Sequence, residues 1–188
     1  MSTEFDTQAA ILDIGKAVEE QLQTVGAGCP PDVCIFGKPR SLSSVIRSRI
    51  DTSIATVIVG NYEHIVPLIA DLITLWKIEL QDDTPFELVH ASKATLVQAC
   101  QDIVKFLLDK NRKYGNSAIE PVRIFSKADA VEQIKVRIDD KLSRLMSKQG
   151  DEDEDVLKDL IGYLFLLKVA LCRQSELHAF AQMTHGLI

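Results

Sequence analysis

Three short stretches of this 188-residue chain carry the side chains best suited to chemistry. The first runs Lys110-Asn111-Arg112-Lys113-Tyr114-Gly115-Asn116-Ser117, dense in hydrogen-bond donors. In the second, Arg137, Lys141 and Arg144 fall at i, i+4 and i+7, one stripe of a helix, with Asp140 beside it. Such a stripe either holds phosphate oxygens through guanidinium forks and an ammonium or forms a solvated face of ion pairs. In the third, Asp155 and Asp159 stand one turn apart, and Gly162 and Tyr163 follow. Two convergent carboxylates repel unless a cation or proton compensates, and hard oxygen ligands on successive turns suit Mg²⁺ or Mn²⁺. The plain alternative makes Asp155 a first-turn partner of the helix dipole and pairs Asp159 with Lys158, Arg137 or Lys141. Tyr163 is either a core aromatic or a group that stacks on a base. Gly162, inside a helix, costs about 1 kcal/mol relative to Ala unless close packing or a ligand offsets it.

The elements that must position these residues read as helices. Ile11, Ile14, Val18 and Leu22 recur at helical spacing within 5–25, and Gly26-Ala27-Gly28 ends that helix. Residues 29–40 form a Pro- and Gly-containing loop, and Ser41 is placed to cap a short helix through Ile50. The β-branched run 54–59 has no partner strand and reads as helix, with one short strand the alternative. Pro67 suits the start of a helix running to Leu80, followed by a polar connection at 81–85. Residues 92–113 place Leu96, Ala99, Cys100, Ile103, Phe106 and Leu107 on one face, and 114–126 form a loop. Residues 127–148 carry Val131, Ile134, Ile138, Leu142 and Leu145 three and four apart, and 149–153 turn into a helix over 154–173. A turn that short makes the flanking helices antiparallel, bringing Asp159 and Gly162 near the basic strip. The expected fold is an all-α helical bundle. Residues 1–94 form a helical region of unassigned role, and 95–188 a second helical domain. Apolar nearly all round from Leu160 to Cys172, the last helix offers more faces than one bundle core uses, which points to a homo-oligomer, most simply a homodimer.

Composition narrows the functional classes. Apolar residues are 46% and charged residues 26%, which excludes wholesale disorder. The net charge of −6 argues against duplex DNA as a partner, because that binding runs on phosphate neutralisation. Asn61, Glu63, His64, Asp71 and Lys77 interrupt the apolar stretch 54–78, so no membrane span is expected, and without a basic, then apolar leader the expected compartment is the cytoplasm. Cys29, Cys34, Cys100 and Cys172 suit reduced thiols, and neither the cysteines nor His64, His90, His178 and His185 reach a metal or triad spacing. No nucleophile motif, P-loop or dinucleotide fingerprint is present.

Taken in order, Lys110-Asn111, Tyr114-Gly115-Asn116-Ser117-Ala118, Arg123-Ile124-Phe125-Ser126-Lys127-Ala128, the stretch Val136 to Leu145, then Asp155, Asp159, Leu160, Gly162 and Tyr163 resemble the phage and bacterial nucleotide modification associated domain. The resemblance covers residues 95–172. That domain is similar in helical layout to the MazG-like all-α nucleoside triphosphate pyrophosphohydrolases, which hold Mg²⁺ on carboxylates of neighbouring helices. The resemblance implies a Mg²⁺-dependent (or Mn²⁺-dependent) hydrolase acting on a nucleotide ligand. Asp155 and Asp159 would hold the metal with Asp102 or Asp140 as a further carboxylate. Arg137, Lys141 and Arg144 would bind phosphates, and Lys110, Asn111, Tyr114 and Tyr163 would line the pocket. The pattern departs from MazG-like enzymes: their Glu-x-x-Glu pair is missing, Gln98 stands where an acid would serve, and Lys113 precedes the tyrosine. The alternatives are a nucleotide-binding protein without catalysis and a helical interaction protein.

Overall fold

The computed structural model describes residues 5–24, 42–79, 93–147 and 155–185. Within them the chain is all-α: α1 (Thr7–Thr24), α2 (Leu42–Ile58), a 3₁₀ turn (Tyr62–His64), α3 (Ile65–Glu79), α4 (Lys93–Tyr114), α5 (Ala130–Ser147) and α6 (Val156–His185). No strand occurs among the described residues. The helix stop at 26–28, the loop holding Cys29 and Cys34, the Ser41 cap, the connection at 81–85, His90 and the turn at 149–153 lie outside them. No described helix is long and apolar enough to cross a membrane.

Local chemistry sets the helix starts. Asp6 Oδ1 accepts from the Gln8 and Ala9 amides, each at 3.0 Å, and opens α1. Asp129 Oδ1 accepts from the Glu132 amide at 2.9 Å and opens α5. Asp155 Oδ1 accepts from the Lys158 amide at 3.0 Å and opens α6. Each cap satisfies amides that the first turn leaves without a carbonyl, worth about 1 kcal/mol. The Asp129 cap begins α5 at Ala130, three residues later than the apolar spacing suggested. Pro67 sits in the first turn of α3, where its missing N–H costs nothing. Gly115, at φ +61°, ends α4 in the left-handed conformation that glycine adopts without a Cβ penalty.

Two boundaries differ more widely from the sequence reading. Residues 42–58 form one continuous helix, α2, absorbing most of the β-branched run. There Thr52 and Thr56 donate their hydroxyls to the carbonyls of Ser48 and Thr52, one turn back. At the other end, α6 continues past Arg173 to His185, and from Ser175 to Met183 it is exposed.

The chain divides into two compact units, Gly15–Val104 and Met1–Ile14 with Lys105–Ile188. In the first, Val18, Leu22, Ile46, Ile50, Leu68, Ile69, Ile73, Leu96 and Ile103 are buried. A Cβ on Gly15 would lie 2.7 Å from Val104 Cγ2, so only glycine permits this approach of α1 and α4. Beside it, Cys100 Sγ lies 3.7 Å from the Gly15 carbonyl. Burial pushes its thiol up to about 12, with Glu19 adding to the shift, so Cys100 is a core thiol and not a nucleophile. An ion pair also sits in this unit: Arg49 Nη2 on α2 is 2.7 Å from Asp71 Oδ1 on α3, whose side chain is 2% exposed.

In the second unit, α5 and α6 are packed neighbours. Ile11, Ile14, Leu107, Ile119, Val131 and Ile134 are buried with Leu160, Ile161, Leu164, Phe165, Leu167 and Val169 of α6. The apolar run of α6 is thus largely consumed within this chain, and its exposed apolar residues, Leu177, Phe180 and Met183, lie beyond it. Residues 119–120 are tied down by Arg173, which donates to the Ile119 carbonyl at 3.1 Å and pairs with Glu120.

Candidate functional site

The α5 stripe does not present three open cations. Lys141 is buried, and its Nζ lies 3.0 Å from Asp159 Oδ2 of α6, so the ammonium is held by the carboxylate it needs for burial. It occupies a core position, seven residues after Ile134, while Leu145, expected on the apolar stripe, is 38% exposed. Arg144 pairs with Asp140 one turn back at 3.4 Å. Arg137 is exposed. Asp159 thus meets the basic strip across the helix pair, and the contact made is an ion pair.

The carboxylates with metal-ligand spacing are similarly engaged. Asp155 caps α6, and Asp159 holds Lys141. Asp102 accepts from Gln98 Nε2 at 3.1 Å on α4 and belongs to the other compact unit. Among the described residues, no group of three or more His, Cys, Asp or Glu side chains is placed to hold a metal ion. A divalent cation bound between Asp155 and Asp159 would have to compete with the Lys158 amide and with Lys141.

Asn111 proves to be a structural tie. Its Nδ2 donates to the Gly115 carbonyl at 3.3 Å and to Asn116 Oδ1 at 2.9 Å, and its Oδ1 accepts from Gln8 Nε2 at 3.4 Å. It fixes the turn that ends α4, leaving no amide proton for a ligand. Tyr163 is half-buried on α6. At Gly162 a Cβ would meet Leu107 Cδ2 at 3.7 Å, an ordinary contact, so packing within the protein does not require glycine there.

What the structure does assemble is a cluster of ammonium groups around two aromatic rings. Phe106, Lys110 and Tyr114 stand at i, i+4 and i+8, one ridge of α4. Lys110 Nζ is 5.2 Å from the centroid of Phe106 and 5.5 Å from that of Tyr114. Lys113 Nζ lies 5.2 Å from the Tyr114 ring, and Lys158 Nζ, from the first turn of α6, lies 5.1 Å from Phe106. The rings are open to solvent, Phe106 at 36% and Tyr114 at 54%. The sequence reading placed Phe106 in the core, and it lies instead at the rim. The signal that could have found it is the Phe-x₃-Lys-x₃-Tyr spacing, because a core face alone would not interleave a lysine between two rings.

A broad depression of about 520 Å³ near the end of α5 is lined by Asp139, Leu142, Ser143, Met146 and Ser147, none of them a sequence candidate. No protein-family model, curated protein or solved structure matches this chain.

Proposed function

We propose that this protein binds nucleotides on the face formed by Phe106, Lys110, Lys113, Tyr114 and Lys158, without cleaving them. The observation that carries the reading is the interleaving of three ammonium groups with two exposed rings. An exposed cation–π contact is worth about 0.5–1 kcal/mol. A base stacked on an aromatic side chain is worth about 1–3 kcal/mol. Stacking therefore displaces an ammonium from its ring, and the freed lysine meets the phosphate. The resemblance of residues 95–172 to the nucleotide modification associated domain supports the same ligand class. Mg²⁺-dependent cleavage would require Asp155 to leave its cap and Asp159 to release Lys141, so the side-chain partners favour binding over turnover. A homodimer belongs to the same proposal, motivated by the exposed Leu177, Phe180 and Met183, and light scattering at micromolar concentration tests it.

The experiment is a thermal-shift titration with a nucleotide panel, with and without Mg²⁺, followed by chromatography of the nucleotides. At a hundredfold excess over Kd, binding stabilises by about 2.7 kcal/mol, or roughly 5–10 °C for a chain of this size. Lys110→Gln combined with Lys158→Gln should remove that shift. If no nucleotide raises the melting temperature, the reading is wrong; consumption of a nucleotide that stops with Asp159→Asn or Arg137→Ala would replace binding by catalysis.

A further inference from the structure

Resting on the nucleotide-binding reading, we infer that the preferred ligand carries two bases joined through a phosphate, a single-stranded dinucleotide unit, and not one nucleotide. One ring would suffice for a mononucleotide. Here two rings stand on the same ridge of α4, on residues eight positions apart whose backbones are separated by about 12 Å along the axis at ~1.5 Å per residue, and their side chains converge on one ammonium. A single ammonium, Lys110 Nζ, reaches both, at 5.2 Å from Phe106 and 5.5 Å from Tyr114. The order ring, ammonium, ring matches the order base, phosphate, base along a single strand. Each ring also has a second cation within reach, Lys158 at 5.1 Å from Phe106 and Lys113 at 5.2 Å from Tyr114. These are available to the phosphates on either side of the central one.

The nearest opposing charge on α4, Asp109, is met by Arg112. A duplex hides the faces of its bases in its own stack, so this platform selects unpaired bases. The net charge of −6 agrees, since it opposes the extended phosphate contacts of a duplex. The face thus combines a local cationic track with stacking surfaces on a chain that is acidic as a whole.

The test uses the full chain and isothermal titration with 5′-phosphorylated mononucleotides, the matching 5′-phosphorylated dinucleotides in adenine and thymine versions, and a ten-base-pair duplex. A second stacked base is worth roughly five- to hundredfold in affinity, so the dinucleotides should bind at least about fivefold more tightly than the mononucleotides. Tyr114→Ala should bring dinucleotide affinity down to the mononucleotide level, abolishing the preference for two bases. Tyr114→Phe keeps the ring and should restore the preference. Equal affinity for one and two bases, a preference that survives Tyr114→Ala, or duplex binding as tight as the dinucleotide would overturn this inference while leaving nucleotide binding in place. Binding of none of the probes would overturn the nucleotide reading itself.

Discussion

Asp71 offers the sharpest test of how this chain holds a charge inside a helix pair. Its carboxylate is 2% exposed on α3, and Arg49 Nη2 lies 2.7 Å from its Oδ1. Burial raises its pKa from 3.8 to about 6, because desolvation outweighs the attraction of Arg49. At about 1.4 kcal/mol per pH unit, keeping Asp71 ionised in the folded state costs roughly 3 kcal/mol at neutral pH. The folded state binds the proton more tightly than the unfolded state, so this contribution makes stability fall as pH rises through about 6. Below 3.8 both states are protonated and the stabilisation by proton uptake is complete. Asp71→Asn keeps the shape and removes the titration. Arg49, with its side chain 37% exposed, regains water when it loses its partner. The variant should therefore exceed the parent by about 1–2 kcal/mol at pH 7.5, a rise of roughly 2–8 °C in melting temperature. The difference should shrink toward zero or reverse near pH 4.5. Thermal melts of both proteins at constant ionic strength between pH 4.5 and 7.5 measure it. A difference independent of pH, or a parent that gains on the variant as pH rises, would refute the reasoning.

Other substitutions probe packing and the α5–α6 pair. Gly15→Ala should destabilise by about 1–3 kcal/mol, since its methyl would meet Val104 Cγ2 at 2.7 Å, and adding Val104→Ala should recover part of the loss in a urea melt. Gly162→Ala has room for its methyl and should stabilise by about 1 kcal/mol through helix propensity; a loss instead would reveal tighter packing around Leu107. Asp159→Ala should cost about 1–3 kcal/mol by removing the carboxylate 3.0 Å from the buried Lys141 ammonium, whereas Lys141→Met should be close to neutral. Similar losses for both variants in denaturant would show that the pair itself stabilises the fold.

Much of the helical framework was legible because helix formation follows spacing within one segment. Ile11, Ile14, Val18 and Leu22 mark α1 by themselves, and all four are buried. The expected approach of Asp159 to the basic strip is seen in its contact with Lys141. The end of α6 was missed because its hydrophobic pattern weakens after Arg173, yet a helix already nucleated extends at little cost. Residues 54–58 were ambiguous because β-branched side chains suit both states, and packing of α2 on α3 resolved them as helix.

The site was less legible, for a different reason. Residue types and spacing determined which charges share a helix face, and so singled out Lys141, Arg144, Asp155 and Asp159. Which charge neutralises which depends on distance between helices, and that only tertiary packing decided. It buried Lys141 against Asp159, committed Asn111 to the end of α4, and left Phe106 at the rim beside Lys158, 52 positions further along the chain. Asp71 shows the same division. In the sequence it was an interruption in an apolar run, and only the approach of Arg49 from α2 made it a buried ion pair. Local order follows from interactions a few residues apart, which the sequence spells out. Burial and charge pairing depend on neighbours brought together by folding, whose solvation and Coulomb energies exist only once the helices have packed.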